Sequence, residues 1–299
     1  YMRPPLARFA WLSVGAAGAT ILLKLLAWWL TDSVGLLSDA LESLVNLAAA
    51  LVTLSMLILA ARPPTEEHAY GYSKAEYLAS AFEGLLILIA AAAIAYAAVK
   101  RFIEPRPIDR AGLGVAVSML ASFINFAVAR ILLRQAMLHR SIALEADARH
   151  LMTDVWTSVG VVAAVGAVAF TGWWRLDPVI ALAVAANIVW TGGSLLYRSL
   201  RGLMDEAIPG PQREAIASLL EGYRDLGVSY HALRTRQAAG RSFVSVHILV
   251  PGDWTVSRAH DLAEEVEGRI RALVPGCSVE THLEPIEDPS SYADIPLDR

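Results

Sequence analysis

The chain has 299 residues, 56% of them hydrophobic and 18% charged, with a net charge of −4 and a mean hydropathy of +0.47. That balance excludes an ordinary soluble domain, which carries more charge and shorter apolar runs. The negative charge argues against a nucleic-acid surface, and the single cysteine, Cys277, excludes an intrachain disulfide and fits a reducing compartment.

Six apolar segments follow one another, at residues 9–30, 34–61, 78–99, 111–133, 143–171 and 178–197. Each is near or above the roughly 20 residues that cross a bilayer as a helix. The first is too long for a secretory signal and lacks a small-residue cleavage site, so it is read as a span. Trp28 and Trp29 end the first span, and Trp173 and Trp174 end the fifth. With six spans those ends face one side, as an interfacial aromatic belt requires. Lys24, inside the first span, is expected to snorkel to the interface.

Lys and Arg give the orientation. With the N-terminus inside, the inner flanks hold Arg3, Arg8, Arg62, Lys74, Arg134, Arg140, Arg149, Arg198 and Arg201. The outer flanks hold Lys100, Arg101, Arg106, Arg110 and Arg175. The bias places both termini in the cytoplasm.

Near residue 203 the character changes. Asp205-Glu206-Ala207-Ile208-Pro209-Gly210-Pro211 reads as a linker. Beyond it the periodicity predicts a helix over 211–223, strands over 228–236 and 242–250, an amphipathic helix over 257–273 with Ser257 as N-cap, and a strand over 277–283. The expected architecture is a multi-pass α-helical membrane domain over 1–203 and a small α+β domain over 204–286. Residues 287–299 form a polar, Pro-bearing stretch that reads as a loose tail.

Ionisable groups inside a bilayer are costly, and helices that carry them aim them at a partner, a cavity or an ion. In the second segment Asp39, Glu42 and Asn46 are spaced three and four apart, and Asp147, His150 and Asp154 repeat that spacing in the fifth. Residues four apart lie on one helix face, about 40° apart around the axis. Asn46 alone is equally compatible with an inter-helix hydrogen bond. Two ligands from each helix make a set of four, the number tetrahedral zinc prefers, and a mixed O/N set also accepts Fe²⁺, Co²⁺, Mn²⁺ or Cd²⁺. Imidazole binds metal only when neutral, so loading displaces protons and suggests metal/proton antiport. No Walker-type glycine loop for a nucleotide occurs in the chain.

Four of the seven histidines, His231, His247, His260 and His282, lie in the predicted α+β domain. Alternation along the strands places residues 243, 245, 247 and 249 on one face, and Glu280, His282 and Glu284 on one face of the last strand. A His-x-Glu pair on a strand, about 7 Å apart, suits one or two bound ions.

Ser38-Asp39-Ala40-Leu41-Glu42-Ser43-Leu44-Val45-Asn46, the loop His68-Ala69-Tyr70-Gly71-Tyr72-Ser73-Lys74-Ala75-Glu76, His150-x-x-x-Asp154 and Leu233-Arg234-Thr235-Arg236 together resemble the cation diffusion facilitators, over residues 8–286. The resemblance implies six transmembrane helices, a cytoplasmic ferredoxin-like domain, and a homodimer that exports divalent metal, zinc foremost, in exchange for protons. It places the central transport site on Glu42, Asn46, His150 and Asp154, with Asp39 one turn away. Zinc-type members usually carry His or Asp and then Asp at the first two positions, so Glu42 and Asn46 depart from the pattern. A second, loop site maps onto Thr65, His68 and Tyr72, where His68 is the one good ligand, so that site is expected to be weak or absent. A binuclear site maps onto His231, His247, His260, His282 and Glu284. Lys74 and Asp205 match a charge pair that locks the dimer, although Lys74 could equally snorkel.

Two other readings compete. One is a non-transporting metal sensor or assembly scaffold of the same fold, with metal only on the tail histidines. The other is an intramembrane metal-dependent hydrolase, for which the chain offers no His-Glu-x-x-His helix and no Ser/His pairing. The expected location is the bacterial inner membrane, with lipid, a second copy of the chain, metal and protons as partners.

Overall fold

The computed structural model describes residues 6–31, 34–104, 112–173 and 175–293. Within its helices the side chains of residues 31, 34–42, 112–115, 161, 165, 166 and 169 lie outside the description. The chain divides after Leu200 into two compact units.

The first unit is helical: α1 Ala7–Thr31, α2 Val34–Ala60, α3 Ala75–Ile103, α4 Gly112–His139, α5 Ile142–Thr171 and α6 Leu176–Leu203. Among the described residues, five helices are long and apolar enough to cross a membrane. The remaining long helix, α5, has 30 residues and carries Glu145, Asp147, Arg149 and Asp154. Large apolar side chains such as Phe123, Phe170 and Trp190 face outward from the unit, as a lipid-solvated surface requires. Trp29 and Trp173 are exposed at the ends of α1 and α5, while Trp174 lies outside the described residues.

Helix ends follow local chemistry. Ser141 caps α5, accepting from the backbone N–H of Leu144, and Gly172 closes it at φ 70°, a left-handed conformation that glycine adopts without a Cβ penalty. Ser141 also donates to the fully buried Glu76, which ties the first turn of α3 to the start of α5. Arg198 of α6 makes a bidentate pair with Glu145 of α5, at 2.7 and 2.9 Å. Between α3 and α6 the backbones come close. A Cβ on Gly192 would stand 2.9 Å from Ile87 Cγ2 and 3.0 Å from the carbonyl of Gly84, so only glycine permits this crossing.

The second unit contains α7 Gly210–Glu221, β1 Ser229–Ala238, β2 Arg241–Val250, α8 Val256–Leu273 and β3 Cys277–Pro285. The sheet order is β1-β2-β3, with β1/β2 antiparallel and β2/β3 parallel. Val244, Val246, Ile248 and Val250 share one face of β2 and form the core with Ile216 and Leu220 of α7 and Leu262, Val266 and Ile270 of α8. The other face carries the histidines.

Two expectations are corrected here. The N-cap of α8 is Thr255, two residues before Ser257: its extended backbone lets Oγ1 accept from the N–H of Arg258. Of the stretch 287–299 read as a loose tail, residues 287–293 are tied down, and 294–299 lie outside the described residues. Ile286 N–H bonds to Val250 O, the buried Ser291 donates to Pro285 O, and Pro289–Tyr292 forms a 3-10 turn.

Candidate metal sites

In the membrane unit, helical spacing and helix packing meet. His150 and Asp154, one turn apart on α5, face Asn46 on α2. Asn46 Nδ2 donates to Asp154 Oδ2 at 2.7 Å, and Asn46 Oδ1 lies 3.0 Å from His150 Nε2. Asn125 of α4 donates to the same Asp154 Oδ2 at 3.1 Å. An imidazole, a carboxylate and two amides thus converge, a mixed O/N donor set suited to a borderline divalent cation. The backbone of 34–42 belongs to α2, while the side chains of Asp39 and Glu42 lie outside the described residues.

A cavity of about 70 Å³ adjoins this cluster, lined by Lys24, Asn46, Ser118, Ser122, Asn125, Asp154, Thr157 and Ser158 among others. It is roomy enough for water and mostly polar. Lys24 does not snorkel: its ammonium donates to the buried Ser43 at 2.8 Å and lines the cavity, because α1 turns that face toward α2. On the far side of the His150 ring, Nδ1 stands 3.4 Å from Glu83 Oε2, and Glu83 Oε1 accepts from Thr53 at 3.0 Å. Asp147, although in register with His150 and Asp154, turns to α1 and accepts from Ser13 at 2.8 Å.

Glu83 and Asn125 are the site residues that spacing did not single out. Glu83 is an ionisable group within an apolar span, the signal that marked α2 and α5. It lacks a partner three or four residues away. Asn125 is a lone amide, which sequence cannot distinguish from an ordinary inter-helix bond.

The loop residues form a surface turn. Thr65 Oγ1 lies 3.2 Å from the Tyr72 hydroxyl and the His68 ring packs on Tyr72 at 4.5 Å, with Thr65 and His68 exposed and Tyr72 half-buried. One imidazole beside two hydroxyls is a poor donor set for a transition metal.

In the second unit the sheet register lines up three histidines. His231 pairs with His247 across β1/β2, and His247 with His282 across β2/β3. Directly opposite residues share a face, so the three rings stand in a row. The bulge after His231, with Ala232 at φ 49°, shifts the register there. Glu284, two residues beyond His282, reaches back to all three: 2.9 Å to His231 Nε2, 3.1 Å to His247 Nδ1 and 3.4 Å to His282 Nε2. One donor atom each from His231, His247 and Glu284 falls within 4.8 Å of the others, close enough to share an ion. His282 is largely exposed, and His260 is exposed on α8 outside this group. Burial pushes the Cys277 thiol up, which disfavours it as a thiolate ligand. Asp205 pairs with Arg236 of its own unit at 3.3 Å.

The family model for the cation efflux transmembrane domain matches residues 10–204, and that for the cation efflux protein cytoplasmic domain matches residues 208–286. An uncharacterized transporter, sll1263, of Synechocystis sp. is 54% identical over 284 residues, covering 95% of this chain and 92% of that protein. The cation-efflux pump FieF of Klebsiella pneumoniae (strain 342) is 31% identical over 284 residues, covering 95% and 93%. A solved structure of CzrB is 38% identical, covers 26% of this chain and 96% of its own, and has a TM-score of 0.25.

Proposed function

The chain belongs to the cation diffusion facilitator family of divalent metal transporters, and we propose that it exports Zn²⁺ or a similar transition metal (Fe²⁺, Co²⁺, Cd²⁺ or Mn²⁺) from the cytoplasm in exchange for protons. The observation that carries this reading is the convergence of Asn46, His150 and Asp154 from α2 and α5 inside an apolar bundle. Each ligand already bonds another, so an arriving cation must replace internal hydrogen bonds with coordination, and its departure restores them. That exchange keeps both the loaded and empty pockets satisfied. Neutral imidazole is the metal-binding form, so loading His150 releases any proton it holds.

Glu42 and Asp39 join this site in the proposal as further oxygen donors. The tail group His231, His247 and Glu284, with His282 beside it, would hold a regulatory ion, and the exposed His260 would be added across a homodimer contact. A bond between Lys74 and Asp205 would fasten that dimer. The chain sits in the bacterial inner membrane with both termini cytoplasmic. The cation-efflux pump FieF is similar over nearly its whole length, which supports export as the direction.

The test is flux in proteoliposomes. Zn²⁺ uptake should accelerate when an opposing proton gradient is imposed and vanish in His150→Ala. Uptake indifferent to the gradient would leave a transporter without proton coupling. Zinc binding without any uptake would favour the sensor reading.

A further inference from the structure

Glu83 lies about two turns into α3 with its side chain fully buried. One carboxylate oxygen is fixed by Thr53 of α2, at 3.0 Å, and the other faces His150 Nδ1 at 3.4 Å. That second oxygen makes no hydrogen bond to any described residue. A carboxylate so placed in a hydrocarbon-embedded bundle is costly unless positive charge stands nearby. The opposite nitrogen of the same ring, Nε2, is 3.0 Å from Asn46 Oδ1, on the side where Asp154 completes the cluster. The imidazole therefore lies between a carboxylate and the candidate ion position. A metal-binding histidine commonly presents its other nitrogen to a carboxylate, which orients the ring and makes it a better donor.

Charge points the same way. Of Asn46, His150 and Asp154, only Asp154 is anionic. Glu83, on the far side of His150, adds a second negative charge.

We infer that Glu83 is a positioning residue of the transport site: it aims His150 Nε2 at the ion and returns the negative charge that Asn46 lacks. The inference rests on the transport reading above.

The experiment measures initial rates of Zn²⁺ uptake by the reconstituted full chain, with thermal unfolding of each purified variant beside it. Glu83→Gln keeps the shape and removes the charge. Its KM for Zn²⁺ should rise about 10–100-fold, the usual cost of losing a supporting carboxylate, with kcat and unfolding temperature little changed. Glu83→Gln combined with Asn46→Asp puts the charge back beside His150 and should recover most of the lost affinity. Thr53→Ala, which keeps the carboxylate but frees it, should raise KM by a smaller factor, and Thr53→Ser should reverse that. Wild-type KM in Glu83→Gln, or a double variant no better than the single, would overturn the inference. If Glu83→Gln does not fold, wild-type KM in Thr53→Ala would overturn it equally. A wild-type chain that moves no Zn²⁺ would instead sink the transport reading itself.

Discussion

In the membrane unit Asn46, His150 and Asp154 reach one another from α2 and α5, with Asn125 added from α4. In the second unit His231, His247 and Glu284 project from three strands of one sheet. The donors are alike, imidazole and carboxylate in each, but the scaffolds differ in what can move. Packed helices are joined only by side chains and slide by about 1–2 Å at modest cost. Strands are joined by backbone hydrogen bonds, and a slip of one residue would turn every side chain to the other face. A site that must gather and release an ion belongs on the first scaffold. A site that must report an ion by holding it belongs on the second.

The largest expected effect divides the two. Asp154→Ala should reduce Zn²⁺ flux in proteoliposomes by more than the about 10–100-fold that losing a supporting group costs, because Asp154 Oδ2 is where the amides of Asn46 and Asn125 meet. Glu284→Ala should leave measurable flux. Equal loss in both variants would erase the distinction between a transport site and a reporting site.

Next comes stabilisation by metal. At a concentration 100 times its Kd, an ion held only by the folded state adds about 2.7 kcal/mol. Zn²⁺ should therefore raise the unfolding temperature of the full chain, and His231→Ala with His247→Ala should remove the part due to the sheet. Binding requires neutral imidazole, so this stabilisation is present at neutral pH and is lost as pH falls and protons compete for the rings. Calorimetry across a pH series with and without Zn²⁺ measures it, and a shift that persists unchanged in acid would argue against histidine ligands.

The third prediction concerns how α3 and α6 are held at their close crossing. Gly192→Ala places a methyl 2.9 Å from Ile87 Cγ2 and 3.0 Å from the Gly84 carbonyl. Overpacking of this kind costs about 1–3 kcal/mol. Gly84 follows Glu83 directly, so the displaced α3 should also weaken Zn²⁺ uptake. Loss of thermal stability with normal flux would show that the α3–α6 crossing and the ion site are independent.

How far the sequence foretells these two sites depends on the range of the interactions. The dyad His150/Asp154 is legible because helical periodicity is local: four residues along the chain mean one face. The facing of α2 by α5 is a matter of tertiary packing, and it turned Asp147 aside to Ser13 although its spacing matched its neighbours. Lys24 turned inward to Ser43 for the same reason, where hydropathy alone suggests an interfacial cation. In the sheet, alternation shows which residues share a face within a strand. The parallel pairing of β2 with β3, which sets His247 against His282, depends on the crossover through α8 and has no local signature. The composition change near residue 203 needs only hydropathy, and the structure divides the chain after Leu200.

The smallest effect tests whether the sheet alone holds its cluster. Thr255 caps α8, which packs on the face of the sheet opposite the histidines. Thr255→Ala should cost about 1 kcal/mol, the usual loss for a cap that accepts one backbone N–H. Ser257→Ala should cost almost nothing, since that residue lies inside the helix and is exposed. If the backbone ladder fixes the row of rings, neither change should alter the Zn²⁺-induced rise in unfolding temperature. A reduced rise in Thr255→Ala would mean that α8 sets the strand geometry through Leu262, Val266 and Ile270. The reporting site would then be as deformable as the one between the helices.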